Sequence, residues 1–144
     1  MKHYADSSFL VFCYLADRNT ARAKAWLLAA GVPLPFTDLH ALEVPNAFRL
    51  GVFRGLISRA DAATALADLD GDLRAGRLVK VPVDWPVAFR MAARLSDRNT
   101  KVNGSRSLDI LHVAAAKTLR AAELVSFDNR QRGLAAPAGL GVSP

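Results

Sequence analysis

Short apolar runs that stop at a polar residue, alternating with longer segments of helical period, constrain this chain more than any other feature. His3-Tyr4-Ala5 stops at Asp6, and Ser7 or Ser8 is placed to cap a helix carrying Phe9, Leu10, Phe12 and Cys13. Asn19 or Thr20 opens a second helix through Ala30, with Gly31 in the usual C-terminal role. Leu34 to Thr37 reads as the next strand, and Asp38 is placed to cap the helix after it. Leu39 to Arg54 reads as a helix despite Pro45, whose missing N–H and ring clash cost about 3 kcal/mol in a helix interior. The helix either bends at Pro45 or begins there. Ser58 caps Arg59 to Arg74, Leu78 to Val83 is a strand, and Asp84 to Leu95 is helical. The polar stretch Asp97 to Arg106, with its Asn103-Gly104 turn signal, reads as a surface loop. Ser107 caps an alanine-rich helix, Leu108 to Leu119. Leu124 to Phe127 is a strand stopping at Asp128, succeeded by a short helix and a last strand near Gly139 to Val142. Such alternation predicts an α/β fold with a mainly parallel sheet and helices on both faces.

The 144 residues suit one domain, 1–144, and 51% apolar with 22% charged residues marks a globular chain. A single cysteine, Cys13, excludes an internal disulfide and fits a reducing, cytoplasmic setting. No N-terminal stretch reads as a signal segment, and no apolar run approaches the roughly 20 residues a membrane helix needs. The formal net charge of +6, carried largely by arginine, favours polyanionic partners. A GC-rich coding sequence gives the same arginine and alanine bias, so charge alone does not choose between the two.

Carboxylates carry more information. In parallel sheets ligands sit beyond the carboxyl ends of the strands. Asp6 and Asp128 come directly after strands, while Asp109 and Glu43 lie near helix starts. All four can therefore meet at one rim of the sheet. Each also has a plain structural reading, as a solvated helix cap or a partner for a helix dipole. Asp109, however, is embedded in the apolar run Leu108 to Ala116, where an unpaired charge is costly to bury. Glu43 shares a helical stripe with Asn46, Ala47 and Leu50, and is expected to project from a core-facing side. Several acids in such places suggest a divalent cation, and Mg²⁺ takes one or two carboxylates plus water and phosphate.

Tyr4-Ala5-Asp6-Ser7-Ser8-Phe9-Leu10-Val11, Ala41-Leu42-Glu43-Val44-Pro45-Asn46-Ala47, Arg106-Ser107-Leu108-Asp109-Ile110-Leu111-His112-Val113-Ala114-Ala115-Ala116 and Leu124-Val125-Ser126-Phe127-Asp128-Asn129-Arg130-Gln131 resemble, in order and spacing, the four motifs of PIN domains of the VapC toxin type. Pro45 departs from an ideal helical second motif. The resemblance spans the whole chain and implies a single PIN-like domain with metal-dependent endoribonuclease activity. It implies Asp6 and Asp109 as the main Mg²⁺ or Mn²⁺ ligands, with Glu43 and Asp128 completing the catalytic acids. It also implies an antitoxin partner and a homodimer. The apolar segment Ala47 to Leu56 suits either docking or core packing. Arg106, Arg130 and Arg132 are the candidates for contact with RNA phosphates, and Ser126 and Asn129 for orienting water.

Other chemistries fit less well. A dehalogenase-like phosphatase wants a second aspartate two positions after the first, where this chain has Ser8; a receiver domain wants a late strand-end lysine, and Lys117 falls inside a helix. Zinc would need more than His112, and His3, His40 and Cys13 lack a matching spacing. His112 is expected to pack or to support a ligand, and Cys13 to lie in the core. A non-catalytic RNA-binding or scaffold module on the same fold is the main alternative; four acids in place argue against it.

Overall fold

The structure is a computed structural model describing residues 1–144. It divides into two compact units, Met1–Asp6 with Pro82–Pro144, and Ser7–Val81. The elements are β1 (His3–Ala5), α1 (Ser7–Tyr14), α2 (Thr20–Ala30), β2 (Leu34–Phe36), α3 (Asp38–Phe53), α4 (Arg59–Arg74), β3 (Leu78–Lys80), α5 (Trp85–Asn103), α6 (Ser107–Thr118), β4 (Glu123–Val125), α7 (Asn129–Ala135) and β5 (Gly141–Ser143). All strand pairs are parallel, as the alternation predicts, but they form two short sheets, β1-β4-β5 in the first unit and β2-β3 in the second.

In the first unit, β1 and β4 align His3 with Glu123, Tyr4 with Leu124 and Ala5 with Val125. The ladder continues one bond further, since the Asp6 amide donates to the Val125 carbonyl at 3.0 Å. Helix α6 is buried from Ile110 to Ala116, and its alanines allow the close approach that such burial requires. His112 packs there, as expected of it: its Nδ1 lies 2.9 Å from the Tyr4 hydroxyl, with both residues buried. Tyr4 and Asp6 share one side of β1 by strand alternation, and Asp109 and His112 share one side of α6 at i and i+3. This hydrogen bond therefore pins the strand carrying one acid to the helix carrying another.

Helix α5 corrects the sequence reading. It runs to Asn103 and absorbs most of the polar stretch expected to be a loop, leaving only residues 104–106 between helices. The half-buried positions Met91, Ala92, Leu95, Ser96, Asn99, Thr100 and Asn103 keep the helical period through that stretch, although their polarity hides it. Asp84 caps the start by accepting from the Val87 amide at 3.0 Å, and Gly104 ends the helix in the left-handed region at φ 66°.

In the second unit, Gly31 closes α2 at φ 58° and Ser58 caps α4 by accepting from the Asp61 amide, both as expected. Helix α3 starts after Thr37, not by means of an Asp38 cap; the Thr37 amide donates to His40 Nδ1 at 2.9 Å. It passes through Pro45 without a break. Ala41, whose carbonyl loses its partner to the proline, is exposed to water, and the buried stripe His40, Val44, Phe48 and Gly51 carries the packing that outweighs the cost. Glu43, Asn46, Ala47 and Leu50 are not core-facing: Asn46 and Leu50 are exposed, and Glu43 sits half-buried at the boundary. Cys13 is half-buried beside a hydrogen bond from the Tyr14 hydroxyl to Asp72 at 2.7 Å. Burial first, and then the Asp72 charge, push the Cys13 thiol up to about 12.

Two outcomes are expected. Tyr4→Phe removes this hydrogen bond from buried His112 and lowers unfolding free energy by about 1–3 kcal/mol in urea titrations; a loss below about 0.5 kcal/mol would detach this bond from stability. Alkylation of native Cys13 should accelerate steadily through pH 10, because only thiolate reacts. A rate that levels off near pH 9 would contradict the raised thiol.

Candidate active site

Parallel register dictates the first contact. Asp6 and Ser126 each come just after the last paired residue of adjacent parallel strands, so their side chains project to the same side. The Ser126 hydroxyl donates to Asp6 Oδ2 at 2.5 Å and accepts from the Asp128 amide at 3.0 Å. Asp6 is 1% exposed, and Ser126 is fully buried. The partner that the strand ends give Asp6 is thus a serine, while Asp128 stands two residues on as the cap of α7. Its Oδ1 accepts from the Arg130 and Gln131 amides at 2.8 and 3.2 Å.

Asp109 lies in the first turn of α6. Its Oδ2 accepts from Arg106 Nε at 2.9 Å and its Oδ1 from Gln131 Nε2 at 3.0 Å. Arg106 also reaches Asp128, with Nη2 3.9 Å from Oδ2. Asp6, Ser126, Asp128, Arg106, Asp109 and Gln131 therefore form one continuous polar chain within the first unit. Arg106 bridges two of its three carboxylates and supplies the positive charge that keeps them together.

The remaining sequence candidates have different surroundings. Glu43 lies in the second unit, where the hydroxyl of Ser7, the residue after Asp6, donates to its Oε2 at 2.7 Å. Arg130 and Asn129 are exposed at the start of α7. Arg132 is committed to the backbone: its Nη1 donates to the carbonyls of Ser126 and Pro144 at 2.8 and 3.0 Å, tying α7 to the end of β4. A cavity of about 350 Å³ in the second unit, walled by Leu10, Leu27, Val32, Leu34 and Leu78, contains none of the four acids.

Sequence reasoning gives Gln131, the last residue of the fourth motif, no role of its own. It is 3% exposed, and its side chain holds Asp109 while its Oε1 is buried without a hydrogen-bond partner. Its position three residues after Asp128, on the inner turn of a capped helix, is the available signal. Ser126 stands out in the sequence only as a residue able to orient water.

No three His, Cys, Asp or Glu side chains stand close enough to make a ready-built metal cage. The donor set nevertheless fits a hard divalent cation, which needs only one or two carboxylates and brings its own water. Hard oxygen donors, a buried aspartate and an orphaned buried carbonyl oxygen beside Asp109 are the features such an ion uses. Arg106 now meets the charge that the ion would meet.

Comparison with known proteins shows the family and the fold. The PIN domain family matches residues 4–137, so the chain belongs to that family, whose members are generally nucleases. A solved structure, FitAcB from Neisseria gonorrhoeae, has the same fold, with a TM-score of 0.67 and 21% identity over 99% of this chain and 96% of that one. No curated protein matches the chain.

Ser126→Ala should cost about 1–3 kcal/mol of stability, since buried Asp6 loses a charge-assisted donor. Arg106→Ala should cost under about 1 kcal/mol, because that guanidinium is 67% exposed and screened by solvent. Denaturant titration of both variants checks the contrast; the reverse order would mean that the surface pair, not the buried one, holds the acids.

Proposed function

We propose that this protein is a metal-dependent endoribonuclease, the toxin of a toxin–antitoxin pair of the VapC type, acting as one PIN-like domain over residues 1–144. The single observation that carries the reading is the polar chain from Asp6 through Ser126, Asp128 and Arg106 to Asp109, in a member of a nuclease family. Family membership by itself supports a nuclease; the RNA substrate, the metal and the toxin role are the reading proposed. The family match across residues 4–137 supports treating the two units as one functional domain. The +6 net charge supports a polyanionic substrate. A homodimer, an antitoxin partner and a cytoplasmic location are part of the reading through the sequence resemblance; no helix is long and apolar enough to cross a membrane.

In this reading Asp6 and Asp109 hold Mg²⁺ or Mn²⁺. The bound ion supplies Lewis acidity, polarising a phosphodiester and lowering the pKa of attacking water. The chain's own residues do the rest. Ser126 orients the Asp6 carboxylate, and Gln131 orients that of Asp109. Asp128 adds negative charge and a fixed acceptor at the start of α7. Glu43 is proposed as the fourth catalytic acid on its motif, with Ser7 fixing its carboxylate. Arg106 exchanges its carboxylate partners for substrate phosphate, with exposed Arg130 as a second contact. Arg132, bonded to two carbonyls, contributes by holding α7 and is a weaker phosphate contact than its position in the motif implies.

The test is RNA cleavage with Mn²⁺ or EDTA, combined with melting. Mn²⁺ at a hundredfold excess over its Kd should stabilise the native state by about 2.7 kcal/mol, a rise of roughly 5–10 °C at this chain length. Asp109→Asn should remove that rise and lower cleavage by more than about a hundredfold, beyond the loss typical of residues that merely support a ligand. Equal Mn²⁺ shifts in both proteins would remove Asp109 from the ligand set. Cleavage that persists in EDTA would end the metal reading. Arg106→Ala should reduce the slope of log affinity against log salt by about 1 for any RNA sequence. An unchanged slope would mean that RNA enters elsewhere.

A further inference from the structure

Gln131 carries an unexplained cost. A buried acceptor with no partner destabilises a fold, and native proteins satisfy nearly all such groups. Here the Gln131 side chain is 3% exposed and its Oε1 has no donor. Turning the amide over gives no relief, because Oε1 would then face the Asp109 carboxylate that Nε2 now serves at 3.0 Å. Its neighbours along the polar chain offer nothing either: Asp109 and Asp128 are acceptors, and the exposed Arg106 guanidinium is engaged with both. No protein group supplies the missing donor, so it comes from outside the chain. An RNA phosphate brings no proton, and a nucleoside is too large to reach a fully covered atom. A water of a hydrated cation is small enough and is a strong donor, since Mg²⁺ keeps several waters when bound by one or two carboxylates.

We propose that Gln131 is a water-binding residue of the cation site, its Oε1 accepting from the hydration shell of the ion held by Asp6 and Asp109 while its Nε2 orients Asp109. The inference rests on the metal reading above and extends it to a neutral residue at the end of the fourth motif. One amide thereby reads both the ligand and the water, which couples the position of the carboxylate to the hydration of the ion.

Two variants and one structure test it. Gln131→Met keeps the volume but loses donor and acceptor; Gln131→Glu keeps acceptor oxygens, loses the donor to Asp109 and adds a negative charge beside it. Mn²⁺ affinity is measured by calorimetry on the full chain, with melting in EDTA to confirm folding. Gln131→Met should bind Mn²⁺ at least about tenfold more weakly than wild type, and Gln131→Glu should bind at least as tightly as wild type. Wild-type affinity in Gln131→Met, or weaker binding by Gln131→Glu than by Gln131→Met, overturns the acceptor role and leaves Gln131 a support for Asp109 alone. A crystal structure of the Mn²⁺-loaded wild type should place a water within about 3.2 Å of Oε1; an Oε1 still without a donor there overturns the inference even if a variant fails to fold. Asp109→Asn in the same series separates the two levels. If wild type binds Mn²⁺ and Asp109→Asn does not, only the Gln131 results bear on this inference; if wild type binds none, the metal reading and this inference fall together.

Discussion

Much of the first unit depends on the register of β1 against β4. Each strand is only three residues long, so the pairing has little hydrogen bonding to spare. Its alignment of Ala5 with Val125 puts the next residues, Asp6 and Ser126, side by side. A slip of one residue would turn Asp6 to the other side of the strand and leave a carboxylate unpaired in the core. The 2.5 Å hydrogen bond from Ser126 is thus both a consequence of the register and a reason for it. Tyr4 and His112 add a second restraint, joining the same strand to α6 through a buried polar contact. Together they hold the two best candidate ligands on elements that cannot shift independently.

The three acids of this unit are stabilised in different ways, and the differences suit their chemistry. Asp6 is buried and relies on hydrogen bonds fixed by backbone geometry. Asp109 is 13% and Asp128 26% exposed, and both rely partly on a guanidinium that is itself 67% exposed. Such a partner is cheap to remove, because water screens the pair and solvates the released arginine. A cation approaching Asp109 therefore competes with a weak bond rather than a strong one. The arrangement keeps like charges together in the free protein without making their site too costly to open.

Membership in a family of nucleases gives this geometry a chemical purpose. Gln131, at the end of the fourth motif, holds Asp109 with its Nε2 while its Oε1 is buried without a protein donor. Arg132 is the opposite case: a basic residue beside the acids that serves the backbone. Proximity in sequence to a motif assigns both residues poorly, and the atoms they touch separate them.

Element order, most helix ends and the parallel pairing were legible in the sequence, because caps, glycines and apolar period act over a few residues. Asp6 and Asp109 were legible for the same reason, as acids at the edges of apolar segments. The continuation of α5 to Asn103 was hidden, since polar residues there occupy half-buried positions that only packing reveals. Pro45 left two readings open locally, and the buried stripe from His40 to Gly51 decided between them. That same stripe left Glu43 half-buried at the edge of the core, which a four-residue pattern could not foresee. Ser126 opposite Asp6, Arg106 across two carboxylates and Gln131 with its unpaired oxygen depend on contacts between residues far apart in the chain. Local sequence determines which segments form and where their ends lie; the register of strands and the docking of helices determine which polar atoms meet, because that choice is made by the burial energy of the whole unit.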